Sequence, residues 1–314
     1  IVSTDGFKSL RKVMLCPVAE NWTLSFAERP SKLFTGVEKR LTIWLTTKSA
    51  NELKVHLSRY RRWFSEERDS SAPQLDVLFS TVRFTDWAPE CALVADSIPK
   101  IGTDVERSIL NKLSGRTTVG TRLAKSSDNV IYYTRKLRYF VQFFDFVPEI
   151  RDALGKLLEP SELKELHARS KRDRDALLCA LNSSLFFWFF STYSDVRNIN
   201  KREIEWFRLS LDAVDSDLAK TLGALANKLM HDFKRNSKVL VNEYKNQGRL
   251  SIQSFQPRLS KPVIDEIDMS LAPHYSLTEE ELDFIVNFDF KYRMGQDAEL
   301  EDDEEQDSSA AAGV

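Results

Sequence analysis

An apolar, aromatic run at residues 177–190 constrains the fold of this chain more than any other feature. It reads Leu-Leu-Cys-Ala-Leu-Asn-Ser-Ser-Leu-Phe-Phe-Trp-Phe-Phe, and a helix that is apolar on nearly all sides is stable only when it is buried. The run is shorter than the roughly 20 apolar residues of a membrane span. We therefore expect a soluble protein with no membrane partner, in which this run forms one core helix.

A polar turn and a second short helix follow the run. Asn200 is predicted to cap that helix, with Glu203 three residues later completing a capping box. Two interpretations stay open at this point: a core helix followed by an ordinary solvated turn, or a buried block that presents hydrogen-bond donors to a polyanion. The donors of the turn are Arg197, Asn198, Asn200, Lys201 and Arg202.

Length and cysteine content bound the class of protein. A chain of 314 residues allows two or three domains of ordinary size. Its three cysteines, Cys16, Cys91 and Cys179, are odd in number and far apart, which fits a reducing cytoplasm and no disulfide framework. Neither these cysteines nor the four scattered histidines have metal-ligand spacing, so we expect a cytoplasmic protein without a metal site.

The net charge of -2 hides an acidic C-terminal tail. Residues 297–314 hold eight acidic residues and no basic ones, which leaves 45 basic against 39 acidic residues, a net of +6, over residues 1–296. A mildly basic body is compatible with nucleic-acid binding but also occurs in ordinary soluble domains. The small, acidic residues 296–314 cannot bury a core and are predicted to be disordered.

Residues 1–50 have the pattern of an α/β sheet that closes with an antiparallel hairpin. Two alternating segments, Trp22–Phe26 and Leu41–Leu45, predict its strands on either side of a polar connection. Residues 51–95 are predicted to be a connecting segment whose arginines cover apolar surface. A helix is predicted over residues 3–15, with an inward face made of Phe7, Leu10, Val13 and Met14.

Residues 96–212 predict a mixed α+β module, and residues 213–295 predict a helical C-terminal brace. The module has a helix over 104–113, a loop over 114–120 rich in Ser, Gly and Thr, and a charged segment over 160–175. Its strand-like segments are Val130–Thr134, Arg138–Phe144 and Arg208–Leu211. The brace has helices over 216–244, from Lys261-Pro262, and from a capping box of Thr278 with Glu281.

Motifs of self-sufficient catalysis are missing from the sequence. No Gly-rich phosphate or dinucleotide loop follows a strand, and no Gly-x-Ser-x-Gly elbow occurs. Two Glu-x-Lys tripeptides, at 162–164 and 243–245, match half of a nuclease site, but such tripeptides arise readily by chance in a chain with 29% charged residues. The residues alone therefore predict a module that binds nucleic acid or protein.

Three groups of residues resemble adenine-specific DNA methyltransferases of restriction–modification systems, including the fused type IIG enzymes. Ser3–Asp5 with Leu10-Arg11, Ser25–Val37 and Arg40–Ile43 resemble the end of the catalytic domain. Leu181–Ser184, Phe186–Trp188 and Ser194–Lys201 resemble the target-recognition domain. The C-terminal run of Ile264–Asp268, Glu280–Ile285 and Lys291–Gly295 also resembles the target-recognition domain. The groups follow one another in the expected order over nearly all of residues 1–295.

The resemblance implies the closing elements of a Rossmann-like methyltransferase sheet in residues 1–50, a DNA target-recognition domain in 96–212 and a helical brace in 213–295. Enzymes of this family bind S-adenosylmethionine on a glycine-containing strand–loop–helix and position the target amine with an Asn-Pro-Pro-Tyr-type motif. Neither motif occurs in these residues. We therefore expect the chain to be the C-terminal part of a longer polypeptide, inactive without the part that transfers the methyl group.

The resemblance also implies site residues and a partner, double-stranded DNA. Phe34 matches the aromatic residue that stacks on a flipped adenine, which needs a planar partner once it leaves the helix. The alternative for Phe34 is a core position under the hairpin. Arg197, Asn198, Asn200, Lys201 and Arg202 are expected to read DNA, and Arg116, Arg135 and Lys136 to contact its backbone. The rival hypothesis is a non-catalytic DNA-binding specificity or scaffold subunit.

Overall fold

The computed structural model describes residues 2–3, 5–16, 19–28, 33–34, 37, 39–48, 52–63, 75–135, 139–244 and 247–294. Lys136 and the acidic tail lie outside the described residues. The chain divides into two compact units: an N-terminal unit of residues 1–116 and 188–196, and a C-terminal unit of residues 117–187 and 197–314. The predicted domain boundaries at residues 50, 95, 212 and 295 stay predictions.

The described residues form twelve strands and ten α-helices, a mixed α and β protein. The strands are β1 (Ala19–Phe26), β2 (Leu41–Lys48), β3 (Lys54–Arg61), β4 (Thr85–Asp86), β5 (Leu123–Ala124), β6 (Val130–Thr134), β7 (Phe143–Phe144), β8 (Ile150–Arg151), β9 (Leu157–Leu158), β10 (Leu163–Ala168), β11 (Lys238–Tyr244) and β12 (Gly248–Ser254). The helices are α1 (Lys8–Met14), α2 (Leu75–Ser80), α3 (Asp104–Ser114), α4 (Lys171–Asn182), α5 (Ser184–Tyr193), α6 (Lys201–Trp206), α7 (Ser216–Arg235), α8 (Lys261–Tyr275), α9 (Glu279–Val286) and α10 (Phe290–Met294).

One four-stranded sheet, in the order β2-β1-β3-β4, forms the centre of the N-terminal unit. The predicted hairpin is confirmed, since β1 and β2 pair antiparallel along their whole length. Strand β3 runs parallel to β1, although its segment was predicted to be only a connection. The alternation of Val55 and Leu57 with charged and polar residues was the available signal. Leu24, Phe26, Leu33, Trp63 and Leu78 form a core cluster of this unit.

Helix α1 turns a different face inward from the predicted one. Phe7, Leu10 and Val13 are exposed, whereas Arg11 is buried. The Arg11 Nε donates a 2.6 Å hydrogen bond to the Asp96 carbonyl, and Lys8 pairs with the Asp96 carboxylate at 2.5 Å. The prediction of an apolar inner face was wrong because these polar contacts fix the rotation of the helix.

A buried carboxylate, Glu106, organises helix α3 in the N-terminal unit. Its oxygens accept hydrogen bonds from the Gly102 N–H at 2.9 Å, the Arg59 Nε at 3.2 Å and the Trp188 indole N–H at 3.3 Å. A fully buried carboxylate is tolerated only when donors surround it in this way. Glu106 therefore joins α3 to β3 and to the middle of α5. The predicted helix over 104–113 is confirmed.

Two antiparallel sheets, β5-β10-β6-β7 and β11-β12-β8-β9, belong to the C-terminal unit. Strand β6 confirms one prediction, whereas β10 lies inside the segment predicted only as charged. Within the predicted strand Arg138–Phe144, the structure has the two-residue strand β7. At the predicted strand Arg208–Leu211, Arg208 makes a single bridge to Thr118 and Leu211 begins a 3-10 helix. In short strands, pairing decides the structure more than sequence pattern does.

The segment predicted as one helix over 216–244 forms a helix followed by a strand, so residues 213–295 are not purely helical. Helix α7 ends at Arg235, and β11 then forms a hairpin with β12 that pairs with β8. Asn236 donates a 3.0 Å hydrogen bond back to the Asp232 carboxylate at the helix end. The β-branched Val239 and Val241 favour the strand that follows. Gly248 begins β12 in the left-handed region, at φ 69°, rather than ending a helix.

The apolar run is broken into α4 and α5, which meet at 65°, and the prediction of one core helix was wrong. Ser183 between them is extended, and its hydroxyl accepts a 3.1 Å hydrogen bond from the Phe186 N–H as the cap of α5. The Asn182 side chain bonds both backbone groups of Phe143, at 2.9 and 3.0 Å. Two polar residues in an apolar run thus place the break, because the side chains of Asn182 and Ser183 bond backbone groups.

The start of α5 lies against a buried pair of opposite charges. The Asp268 carboxylate of α8 accepts hydrogen bonds from the N–H groups of Ser184, at 3.0 Å, and Leu185, at 3.4 Å. The Arg293 Nη1 of α10 donates to the Ser184 hydroxyl at 3.1 Å. Burial raises the pKa of Asp268 to about 6, opposed by the Ser184 hydrogen bonds and the Arg293 charge. Burial lowers the pKa of Arg293 to about 10.

Helices α8 and α9 begin as predicted. Pro262 lies in the first turn of α8, and Thr278 and Glu281 form the capping box of α9. Among the described residues, no single helix is long and apolar enough to cross a membrane, although α4 and α5 pass that test of length and composition as a bent pair.

Replacing Asp268 by alanine is expected to lower the free energy of unfolding by about 3–5 kcal/mol. The Arg293 guanidinium would stay buried without its opposite charge, and two N–H groups of α5 would lose their acceptor. Urea-induced unfolding of the two proteins measures the difference. Glu266→Ala on the same helix is the matched control, because its ion pair with Lys228 is exposed and contributes at most about 1 kcal/mol. Equal small losses in both variants would contradict this role.

Candidate nucleic-acid interface

The structure joins the predicted turn to the loop that follows β6. The Ile199 N–H donates a 2.7 Å hydrogen bond to the Arg135 carbonyl. The Arg135 guanidinium donates a 2.9 Å hydrogen bond to the Asn200 side chain, 65 positions away in sequence. Two segments that are distant in sequence, each predicted to contact DNA, therefore form one surface. We call Arg135 together with residues 197–202 the recognition surface.

Helix α6 fixes the geometry of this surface. Asn200 and Glu203 form the predicted capping box, and the Glu203 carboxylate accepts a 2.9 Å hydrogen bond from the Asn200 N–H. The buried Glu203 also holds the Arg202 Nε at 2.7 Å, while the Arg202 guanidinium lies 5.0 Å from the centre of the Trp206 ring. Arg202 is thus engaged in positioning α6, and its charge is balanced within the protein.

The remaining polar residues of the recognition surface differ in exposure. Arg135, Arg197 and Lys201 are exposed, and Asn198 and Asn200 are half-buried. Lys201 forms a solvent-exposed pair with Glu205 at 3.6 Å, which is easily exchanged for another anion. The surface therefore offers three exposed cations beside the Asn198 carboxamide, whereas the Asn200 carboxamide accepts from Arg135 and donates a 3.3 Å hydrogen bond to the Asn198 carbonyl.

A strained residue precedes the recognition surface. Val196, at the end of the N-terminal unit, has φ 57°, a left-handed conformation that β-branched residues adopt only under constraint. Its N–H donates a 2.8 Å hydrogen bond to the Ser194 hydroxyl, which holds this conformation. The strain is of order 1–3 kcal/mol. Ser194 and Val196 thus specify the local path of the chain at the end of the N-terminal unit.

The segment 117–122 packs under α6 in the C-terminal unit. The Val119 N–H bonds the Phe207 carbonyl at 2.8 Å, and the Leu209 N–H bonds the Thr117 carbonyl at 3.0 Å. Gly120 touches α6 so closely that an added Cβ would lie 2.9 Å from the Cβ of Glu205. The sequence showed this segment only as a loop rich in small residues. Its packing against α6 depends on the contact between Gly120 and Glu205, which are distant in sequence, so no local pattern reveals it.

Tyr133 is buried on β6, two residues before Arg135. Burial raises the pKa of its phenol, the positive charge of Arg135 opposes that change, and Glu203 and Glu205 reinforce it. The side chain therefore stays neutral at physiological pH. It carries no charge of its own to the recognition surface and acts there as part of the apolar support.

The remaining predicted site residues are Arg116, Lys136 and Phe34. Arg116 belongs to the N-terminal unit, where its N–H bonds the Leu113 carbonyl at the end of α3. Lys136 is outside the described residues. Phe34 is 49% exposed, whereas its neighbour Leu33 is buried in the core cluster. The core position under the hairpin is thus taken by Leu33, and Phe34 has an open ring surface.

The described residues of the N-terminal unit do not fit an S-adenosylmethionine site of the implied kind. None of its described strands leads through a glycine loop into a helix. At Gly102 an added Cβ would lie 2.7 Å from the Arg59 backbone nitrogen, so this glycine serves packing and leaves no space for a ligand. No group of three or more metal-ligating side chains occurs among the described residues either.

Comparisons with family models, with curated proteins and with solved structures found no match to this chain.

Gly120→Ala is expected to lower the free energy of unfolding by about 1–3 kcal/mol, because the new methyl group overlaps Glu205 and must displace α6. Thermal unfolding measures the loss, and amide hydrogen exchange in α6 shows whether this helix loosens. Gly115→Ala is the matched control, since a Cβ there meets no atom within 4 Å. If both variants unfold like the parent, the close packing of segment 117–122 against α6 is refuted.

Proposed function

We propose that this chain binds double-stranded DNA through the recognition surface, as the target-recognition part of an adenine-specific DNA methyltransferase of a restriction–modification system. The observation that carries DNA binding is the hydrogen-bonded junction between Arg135 and Asn200. It brings exposed cations and carboxamides together on a surface that a buried capping box and a close glycine contact keep in shape. The methyltransferase assignment rests on the sequence resemblance.

The chemistry of the surface divides its residues into two roles. Arg135, Arg197 and Lys201 are exposed cations and contact phosphates, which supply most of the affinity and none of the sequence information. Asn198 carries a carboxamide that pairs with base edges in the major groove, and Asn200, whose carboxamide bonds Arg135 and the Asn198 carbonyl, is assigned a positioning role. Arg202 is assigned a positioning role, because the buried Glu203 holds its guanidinium. The set of residues expected to contact DNA is therefore smaller than the set predicted from the sequence, because Asn200 and Arg202 are no longer among them.

Methyl transfer belongs to residues other than those described. In this proposal, a segment with a glycine loop binds the cofactor, and an Asn-Pro-Pro-Tyr-type motif positions the target amine. Phe34 is assigned to stack on the adenine that has left the helix, since its ring is open to a partner. A non-catalytic specificity subunit would use the same recognition surface and would not need Phe34.

Arg135→Ala and Arg197→Ala are each expected to weaken duplex binding and to lower the salt dependence of log K by about one. Each change removes one phosphate contact, so the loss is similar for all sequences. Fluorescence anisotropy over a series of salt concentrations measures both quantities. Arg151→Ala is the matched control, an exposed arginine of β8 paired with Glu149 at 2.7 Å. An unchanged salt slope in the first two variants would exclude this surface as the DNA site.

Phe34→Ala is expected to reduce the preference for duplexes with one mispaired adenine roughly 5- to 150-fold, as base–aromatic stacking contributes about 1–3 kcal/mol. Competition between mispaired and fully paired duplexes of randomised sequence measures the preference. Phe7→Ala provides the control, since Phe7 is a similarly exposed phenylalanine of the same unit. Retention of the full preference after Phe34→Ala would rule out stacking by this ring and leave the non-catalytic alternative in place.

A further inference from the structure

A cavity of about 340 Å³ lies in the C-terminal unit, between its two antiparallel sheets. Leu240 and Ile252 of the β11–β12 hairpin line one side, and Phe144 and Leu163 of the other sheet line the opposite side. The volume falls within the range of about 300–1,000 Å³ that is usual for small-ligand sites. No role assigned above to the recognition surface uses this cavity.

Aromatic rings form firm walls in the cavity. Phe144 and Phe255 pack together with ring centres 4.6 Å apart and planes tilted by 39°. Phe140 is held by the guanidinium of Arg293, which lies 4.3 Å from its ring centre. Because core contacts fix these rings, the walls are preorganised for a planar, apolar body.

Two carboxamides in the lining are available for hydrogen bonding. Within the described part of the chain, the side chains of Gln142 and Gln256 make no hydrogen bond, and both are half-buried. Gln253 in the same lining is different, because it accepts from the Glu149 N–H at 3.2 Å and donates to Ser237 at 3.1 Å. A free carboxamide presents one acceptor beside two donors, the pattern that complements the edge of a nucleobase.

The charges of the lining argue against an anionic ligand. The charged side chains are Glu162, Arg258 and Arg293. Glu162 and Arg258 have opposite signs, and the charge of Arg293 faces that of the buried Asp268. A phosphate or carboxylate would need a surplus of positive charge that this cavity does not have. The cavity therefore suits an uncharged planar heterocycle.

We propose that this cavity binds a nucleobase, with the aromatic walls enclosing its faces and Gln142 and Gln256 bonding its edge. Thr134 lines the cavity, and the next residue, Arg135, belongs to the recognition surface. An unpaired base of a bound DNA strand, distinct from the adenine assigned to Phe34, is the source that this adjacency favours, and that part of the inference rests on the proposed function. A free nucleoside has the same chemistry and is the other source.

The test compares Gln142→Leu and Gln256→Leu with Gln247→Leu in the full chain. Leucine keeps nearly the volume of glutamine while removing the hydrogen-bonding groups, and circular dichroism checks the fold. Gln247 is exposed in the turn between β11 and β12 and lies outside the lining, so it is the matched control. The probes are duplexes of randomised sequence with or without one unpaired base, measured by competition, and the free nucleosides adenosine, guanosine, cytidine and thymidine, measured by calorimetry.

The proposal predicts that the parent and Gln247→Leu bind the duplex with the unpaired base in preference to the paired duplex. Either cavity variant reduces that preference roughly 5- to 150-fold, the discrimination of a good bidentate base contact. Nucleoside binding that depends on Gln142 without any duplex binding would support the cavity with the free nucleoside as its ligand, and would overturn the proposed function. Duplex binding that depends on Arg135, with no effect of either cavity variant on any probe, would overturn the cavity proposal and leave the DNA surface intact.

Discussion

The Asp268 carboxylate at the start of α5 is the interaction on which the C-terminal unit depends most. It accepts the first N–H groups of a helix whose side chains are almost all apolar, and it faces the buried charge of Arg293 across the Ser184 hydroxyl. Desolvation makes this arrangement unfavourable unless every partner is present. Helices α5, α8 and α10 are therefore fixed together, because loss of any one partner leaves a buried charge or donor unsatisfied.

The N-terminal unit also contains a buried carboxylate, Glu106, that is surrounded by hydrogen-bond donors. The Glu106 carboxylate accepts hydrogen bonds from the Trp188 indole N–H and from Arg59. The middle of α5 is therefore held by polar contacts among apolar neighbours. Further along, the buried Lys100 ammonium donates a 2.5 Å hydrogen bond to the Ser194 carbonyl. The segment that leads to the strained Val196 is thus anchored within this unit.

Charge balance inside the protein decides which residues remain available to a partner. Glu203 neutralises Arg202 and caps α6, and the Arg135 side chain is aimed by Asn200. The proposed DNA surface and the proposed base cavity meet at the end of β6, where Thr134 faces one and Arg135 belongs to the other. In these proposals, the phosphate contact of Arg135 and the cavity for an unpaired base would then lie next to each other at the end of β6.

The sequence by itself determined the elements whose signals are local. The β1–β2 hairpin, α3, the starts of α8 and α9, and the capping box of α6 follow from alternation, periodicity and short-range caps. It also marked Arg135 and the 197–202 turn as candidates. Only the tertiary structure decided that residues 177–190 form two helices, that 238–244 is a strand, that Arg11 rather than Phe7 turns inward, and that Arg135 meets Asn200. Each of these depends on a hydrogen bond or strand partner distant in sequence, and such partners are invisible to local pattern.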